Sequence, residues 1–448
     1  MDFLKNLALP QSHEHLILLK YLLGLTFTLF LPYLSLLIGA SFLSIILKKK
    51  STKENDGKYI RYARDLINIV TFNRSVVYAL GIVPLLSTLF CYLQLLQNSS
   101  SSVLTLVLLS SASFIIGIIL IYSYKHSFNL KTIFEYVQTK QISFEESDTK
   151  ETFESYGNDA RHKFEKTDLW SLIFFSLAAF LFIGAISQAS NSELWGSDYS
   201  IIASLFSVKS LSYLIYFFIL SVAVTLIAGL FYTYKYKQDE QADSEYVSFV
   251  REYSINLSLV LTIILPVFVL FTMFFTPPGS LAYFGFISIL LMLISLLLIA
   301  TLLYVMMKDS KVNYVTTLVV LVIFVFIFSN AKDQIAFSTA SKQHLAGLEA
   351  EFIKYEEDFK ASLGLSNVTI SGEDIYNGKC IACHQFDKVL VGPPYKEILP
   401  KYDDDKEGLV QFILNPVKVD PNYPAMPNQG LKPNEAKAVA EYILETYK

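Results

Sequence analysis

Residues 16–47 read LILLKYLLGLTFTLFLPYLSLLIGASFLSIIL, with one charged residue, Lys20, near the start. The hydrocarbon core of a bilayer is about 30 Å thick, and a helix needs roughly 20 mostly apolar residues to cross it. This run crosses with tilt or with an extra turn outside. It is too long for a cleaved signal peptide and lacks a basic leading segment, so it reads as a retained span. Seven further runs have the same character: 75–97, 102–124, 169–189, 211–232, 257–276, 281–307 and 314–329. The expected fold class is therefore all-α, a polytopic transmembrane bundle of about eight spans.

The rest of the composition agrees. Of 448 residues, 53% are hydrophobic and only 17% charged, with a mean hydropathy of +0.44. Soluble domains carry about 25% charged residues. With 35 Phe and 28 Tyr the chain is no disordered polymer. With 36 Lys and Arg against 40 Asp and Glu it lacks the basic excess of a nucleic-acid binder. Three Cys cannot make a disulfide scaffold.

Charge between the spans sets the expected orientation. The first, third, fifth and seventh loops carry Lys48, Lys49, Lys50, Lys53, Lys58, Arg61 and Arg64; Lys125, Lys131, Lys140, Lys150, Arg161, Lys163 and Lys166; Lys235, Lys237 and Arg251; Lys308 and Lys311. The even loops carry Lys209, and the segment before the first span adds Lys5. The odd loops are expected inside, with both termini outside. The spans hold no Asp, Glu or His at their centres, the residues that mark proton relays and membrane haem ligation. His13, His15, His126, His162, His344 and His384 all fall at span ends, in loops or in the tail. No membrane haem is predicted. Met273, Met292, Met306 and Met307 read as packing residues.

Beyond residue 329 the chain turns polar. Leu345, Leu348, Phe352, Tyr355 and Phe359 recur at steps of three and four, predicting an amphipathic helix over 341–363. It could stand a terminal domain off the membrane or lie against a partner. Then comes Cys380-Ile381-Ala382-Cys383-His384, the C-x-x-C-H signature of c-type haem attachment. Two thiols with two residues between them on one turn reach both vinyl groups of a porphyrin, and the following imidazole meets the iron. A thiol redox pair and half a zinc site are the competing readings. No second Cys pair completes the zinc site, and the expected outer location suits haem c. Met426 is the one methionine after His384, and no further His follows. His384 and Met426 are therefore the expected axial ligands of one covalent haem c. Such six-coordinate iron transfers electrons and leaves no open site for substrate.

Residues 371–448 resemble a class I cytochrome c domain of the His/Met type, a small all-α fold. Ser371-Gly372-Glu373-Asp374-Ile375-Tyr376 is similar to its first helix. Gly392-Pro393 resembles the loop whose proline carbonyl holds the proximal imidazole, so both join the expected haem-binding set by resemblance. Met426-Pro427 resembles the distal ligand motif, and Pro433 onward the last helix. The segment has no Arg, and its acidic residues outnumber its Lys, so a basic docking ring is not expected. Thr26 to Pro32, and Tyr78 to Pro84 with Gly81, resemble the opening helices of the large subunit of cytochrome bd quinol oxidases. That family places a haem-ligating His four residues before the first-span proline. Here the position is Thr28, which argues against carrying oxygen reduction across.

Other candidates are weaker. Ser12-His13-Glu14-His15 could meet a metal or a quinol head group, but residues two apart on a helix face different ways. Arg74 reads as a snorkelling anchor and Cys91 as an inert buried thiol. The segment 125–168 reads as a charged loop holding a surface helix, with acidic Glu145, Glu146, Asp148, Glu151 and Glu154 of unassigned role.

The expected organisation is a transmembrane domain at 1–330, an amphipathic linker at 331–370 and a cytochrome c domain at 371–448. The expected protein is a membrane-bound monohaem cytochrome in a bacterial inner membrane, its haem domain on the periplasmic side. It would be an electron-transfer subunit of a respiratory or photosynthetic complex, with other subunits, a quinol-linked donor and an outer-face acceptor as partners. Two alternatives stand beside it: a bundle that itself oxidises quinol, and a redox sensor signalling to the large inner loop.

Overall fold

The computed structural model describes residues 11–139, 147–196, 200–236, 244–276, 282–309, 314–363, 371–403 and 405–447. Lys5, Lys140, Glu145, Glu146, Lys237, Lys311 and the loop at 277–280 lie outside the described residues. The chain divides into two compact units, Met1–Phe352 and Ile353–Lys448. The division falls within the helix Lys342–Ser362. Among the described residues there is no strand.

Among its described residues the first unit holds eight helices long and apolar enough to cross a membrane. They are α1 (His13–Glu54), α2 (Arg74–Leu95), α3 (Val103–Thr139), α4 (Lys150–Ala189), α5 (Val208–Tyr236), α6 (Ser244–Phe274), α7 (Tyr283–Asp309) and α8 (Val315–Ala340). Each covers one expected span, and most run past the end of the apolar sequence. A helix ends where its backbone is capped, not where hydrophobicity falls. α1 starts under Ser12, whose hydroxyl accepts the His15 amide at 3.3 Å. It stops at Asn55, which takes the left-handed conformation at φ 51°.

Helices α1 and α5 form the centre, each 67% buried over its apolar window, while α6 is only 28% buried. α1 packs against α2, α4, α5 and α8. Its closest approach to α5 is at Gly39, where an added Cβ would sit 2.3 Å from the Ser221 carbonyl oxygen. Small residues at such crossings let helix backbones touch. An aromatic core of Phe27, Phe30, Phe114 and Phe182 fills the space beside α1, with edge-on rings 5.1 Å and 5.3 Å apart. Peripheral side chains such as Ile263, Val267 and Leu297 face outward, as lipid contact requires.

Pro84 shapes α2. Having no N–H, it cannot continue the ladder, and the preceding turn Tyr78–Ile82 widens to a π-helical one. That turn presses Gly81 against Phe114, 2.6 Å from where a Cβ would stand.

Two connections differ from the sequence expectation. The first basic loop contains a helix, Gly57–Val70, capped by Asp56. It buries Tyr62, Leu66 and Ile67 and ties to α6 through Tyr246 on Asp65 (2.7 Å) and Tyr62 on Ser254 (2.6 Å). Segment 125–168 is not a helix lying on a surface. α3 continues to Thr139 and pairs with the helix Ser147–Ala189 as an extended hairpin. Lys48 reaches into that hairpin and pairs with the buried Asp168. Beyond α8, the helix Lys342–Ser362 packs Leu345 and Leu348 into the bundle core, while Tyr355 and Phe359 are exposed.

A candidate cofactor site in the second unit

The second unit is built around the crossing of its first and last helices, Gly372–Ile375 and Pro433–Tyr447. The Ser371 hydroxyl caps the first helix by accepting the Asp374 amide at 3.1 Å. At the crossing a Cβ on Gly372 would lie 2.2 Å from the Ala438 carbonyl oxygen, so the backbones touch. Ala436, Val439 and Ala440 are fully buried beneath this contact.

A π-helical turn, Tyr376–Cys380, carries the chain to the two cysteines. The Cys383 and His384 amides both donate to the Cys380 carbonyl, at 3.0 and 2.9 Å. Both thiols and the imidazole are thus fixed by one tight turn. The Gly392 amide donates to the Cys383 carbonyl at 2.9 Å, folding the following loop back under the histidine.

Three contacts set the imidazole. Its Nδ1 lies 3.0 Å from the Pro393 carbonyl oxygen. A carbonyl only accepts, so Nδ1 carries the hydrogen and Nε2 keeps its lone pair. The Tyr395 ring stacks on the imidazole at 5.2 Å and 9°. A Cβ on Gly392 would stand 2.3 Å from His384 Cε1, so this position excludes any side chain.

The turn opens onto a cavity of about 370 Å³, within the range of small-molecule sites. Cys380, Cys383 and His384 line it together with Leu409, Ile413 and Met426. Met426 lies in the irregular stretch before the last helix. Lys379 donates to the Gln429 carbonyl at 3.0 Å, linking that stretch to the cysteine turn. Burial, and then the neighbouring Cys383, raises the Cys380 thiol above its ordinary pKa. The site therefore offers two thiols, an imidazole with a free nitrogen and a thioether. That set can hold a planar, largely apolar cofactor with a metal at its centre.

In the first unit the other candidates separate. His13 Nδ1 pairs with Glu349 Oε2 at 3.1 Å, and both are exposed. His15 lies two positions on in the same helix. Among the described residues no three His, Cys, Asp or Glu converge on a metal site. Cys91 is fully buried. Met292 and Met306 are core residues, and Tyr216 donates to the Met292 sulfur at 3.6 Å. Thr28 donates to the Gly24 carbonyl at 2.9 Å and accepts from Asn330 at 2.6 Å.

One group was missed because the apolar run ends at residue 329 and the helix does not. Asp333, on the last turns of α8, is buried and accepts from Tyr213 at 2.5 Å and Lys332 at 2.7 Å. Lys209 lies at the start of α5, donating to Ser190 at 3.0 Å. Extending the helical phase of α8 past the apolar window would have placed Asp333 on the face of Phe326 and Ser329.

A small helical domain with a C-x-x-C-H turn and a methionine on the same cavity defines a c-type cytochrome. A family model described as cytochrome c oxidase, cbb3-type, subunit III matches residues 368–443. Cytochrome c-551 of Pseudomonas denitrificans is 38% identical over 79 residues, 16% of this chain and 95% of that protein. Cytochrome c-552 of Nitrosomonas europaea is 37% identical over 70 residues, 14% of this chain and 67% of its own length. Cytochrome c-552 of Hydrogenobacter thermophilus is 33% identical over 90 residues, 19% of this chain and 90% of its own length. Through its C-terminal domain the chain belongs to the cytochrome c family. The domain implies haem c and electron transfer, and the eight apolar helices make the chain a membrane protein. The likeness of the first two spans to cytochrome bd rests on the quoted residues alone.

Proposed function

We propose that this is a membrane-bound monohaem cytochrome c, an electron-transfer subunit of a respiratory or photosynthetic complex. It passes electrons between a quinol-linked donor and an acceptor on the outer face of a bacterial inner membrane. The reading is carried by the imidazole of His384, held at Nδ1 by Pro393 beside two thiols on a cavity that Met426 also lines. Cys380 and Cys383 would hold the haem through thioethers, and His384 and Met426 would bind its iron. The haem supplies a one-electron couple whose potential His/Met ligation raises. Gly392 and Pro393 orient the imidazole. The oxidase-subunit description of the matching family supports placement in a respiratory complex. The periplasmic placement is supported by the loop charges, nineteen Lys and Arg on the odd loops against Lys209 on the even ones.

A pyridine haemochrome spectrum with haem-to-protein stoichiometry on the purified chain tests this. One haem c per chain and no haem b or d is expected. A second haem overturns the monohaem reading.

A second reading, quinol oxidation by the bundle itself, needs a proton acceptor within the bundle. Asp333, buried against Tyr213 and Lys332, is a candidate. Asp333→Asn would then slow quinol-dependent reduction of the haem while leaving reduction by dithionite unchanged. Equal rates in variant and parent would remove this reading.

A further inference from the structure

The end of the bundle that carries the basic loops has a second, open cavity of about 490 Å³. It lies between residues 71–74, where α2 begins, and Tyr122, Lys125, His126 and Asn129 of α3. Its ionisable lining is Arg74, Lys125, His126 and Tyr122, and no carboxylate lines it. Arg74 and His126 are exposed, and among the described residues neither makes an ion pair. Lys125 donates to the Thr71 carbonyl at 2.8 Å and likewise has no carboxylate partner among the described residues. The Tyr122 hydroxyl is buried and has no hydrogen-bond partner among the described residues. A buried donor without a partner is costly and rare.

At the same end of the bundle Lys48 meets Asp168, Lys58 meets Glu245 and Lys131 meets Glu135. The cavity instead gathers three basic side chains and a phenol on one concave site, with no carboxylate among its described lining residues. The complementary ligand is an anion with several acceptor oxygens. A phosphate fits, because a guanidinium binds two of its oxygens at once and the other donors take the rest. The site also lies where the apolar run of α3 ends, the level of lipid head groups. Phe72 and Tyr78, 63% and 60% exposed, flank it on the outside of the bundle. That apolar flank suits acyl chains, and anionic lipids gather against basic protein surfaces at this depth.

We infer that this cavity binds the phosphate group of an anionic ligand, supplied by an acidic phospholipid head group or by free phosphate. The apolar flank favours the lipid. The test uses the full chain in detergent, with the variants Arg74→Gln, His126→Gln and the double variant. Both residues are exposed, so substitution leaves the packing intact, and an unchanged melting temperature without added anion checks the fold of the first unit. Native mass spectrometry with added phosphatidylglycerol or phosphatidylcholine reads lipid binding. Thermal shift with millimolar inorganic phosphate reads the free anion. Expected is a phosphatidylglycerol adduct that outlasts the phosphatidylcholine one and falls at least about tenfold in the double variant, a loss of about 1.4 kcal/mol or more. Stabilisation by inorganic phosphate in the parent and not in the double variant, without a lipid adduct, would support the site and assign it to the free anion. Phosphatidylcholine binding as well as phosphatidylglycerol, or no difference between parent and double variant with either probe, would overturn it.

Discussion

The haem site turns on side chains that fix one ring. His384 is held from three directions, and the tightest is Gly392, where a Cβ would stand 2.3 Å from Cε1. Gly392→Ala must displace either the imidazole or the loop that carries Pro393. The expected outcome is a several-fold loss of holo-protein, measured as haem c per chain, with a lowered potential in what remains. The opposite variant, Met426→Ala, removes the thioether and leaves His384 in place. Attachment is expected to survive, because the thiols are untouched. If Met426 ligates the iron as proposed, the potential should fall by a fraction of the roughly 0.8 V over which ligation tunes haem, and added imidazole should bind. A redox titration with and without imidazole reads both effects. An unchanged potential would remove Met426 from the ligand set. Of the proposed site, the sequence displays Cys380, Cys383 and His384 because they are local to one motif, and Met426 because it is the one methionine that follows. The crowding at Gly392 is set by a loop that folds back from residue 392 to the Cys383 carbonyl, a contact that no spacing reveals.

At the scale of the helix, hydropathy locates spans because the bilayer demands about 20 apolar residues. It says little about where helices stop or which faces meet. Asp333 lies four residues past the last apolar run, yet it is buried in the same continuous helix. The helix Gly57–Val70 was hidden by its charges. Its Lys and Arg sit on one face, while Tyr62, Leu66 and Ile67 pack inward. Close helix crossings are also invisible in one sequence, since glycine marks them only when its neighbour is known. Two glycines separate the cases. At Gly39 an added methyl meets the Ser221 carbonyl oxygen at 2.3 Å, while at Gly57 it meets nothing within 4 Å. Gly39→Ala should destabilise the bundle by about 1–3 kcal/mol, the usual cost of overpacking. Gly57→Ala should be neutral or stabilising by up to about 1 kcal/mol, since alanine is the better helix former. Thermal melts in one detergent check both. Equal shifts for the two would mean that α1 and α5 do not touch as described.

For the molecule as a whole, the two units have separate cores. The core of the second unit consists of its own residues, from Tyr376 to Leu444. The cytochrome c-551 of Pseudomonas denitrificans is matched over 95% of its own length by 79 residues. A stretch of this chain thus matches almost the whole of a small protein, and the described core of the second unit is made of its own residues. Such a domain is small, and its cavity is large for its size. Without the cofactor, the apolar side chains that line this space of about 370 Å³ would face water instead of a porphyrin. The cofactor should therefore hold the fold together as well as carry the electron. Residues 371–448, exported to a compartment that attaches haem c, should be soluble and helical with one haem per chain. Cys380→Ser with Cys383→Ser should leave the same segment largely unfolded by circular dichroism. In the full chain that double variant should lose only the helicity of the second unit, with the first unit still protected from protease. A cofactor-free segment that stays helical and melts cooperatively would show that the cavity closes on itself, and that the haem is a passenger in a domain stable without it.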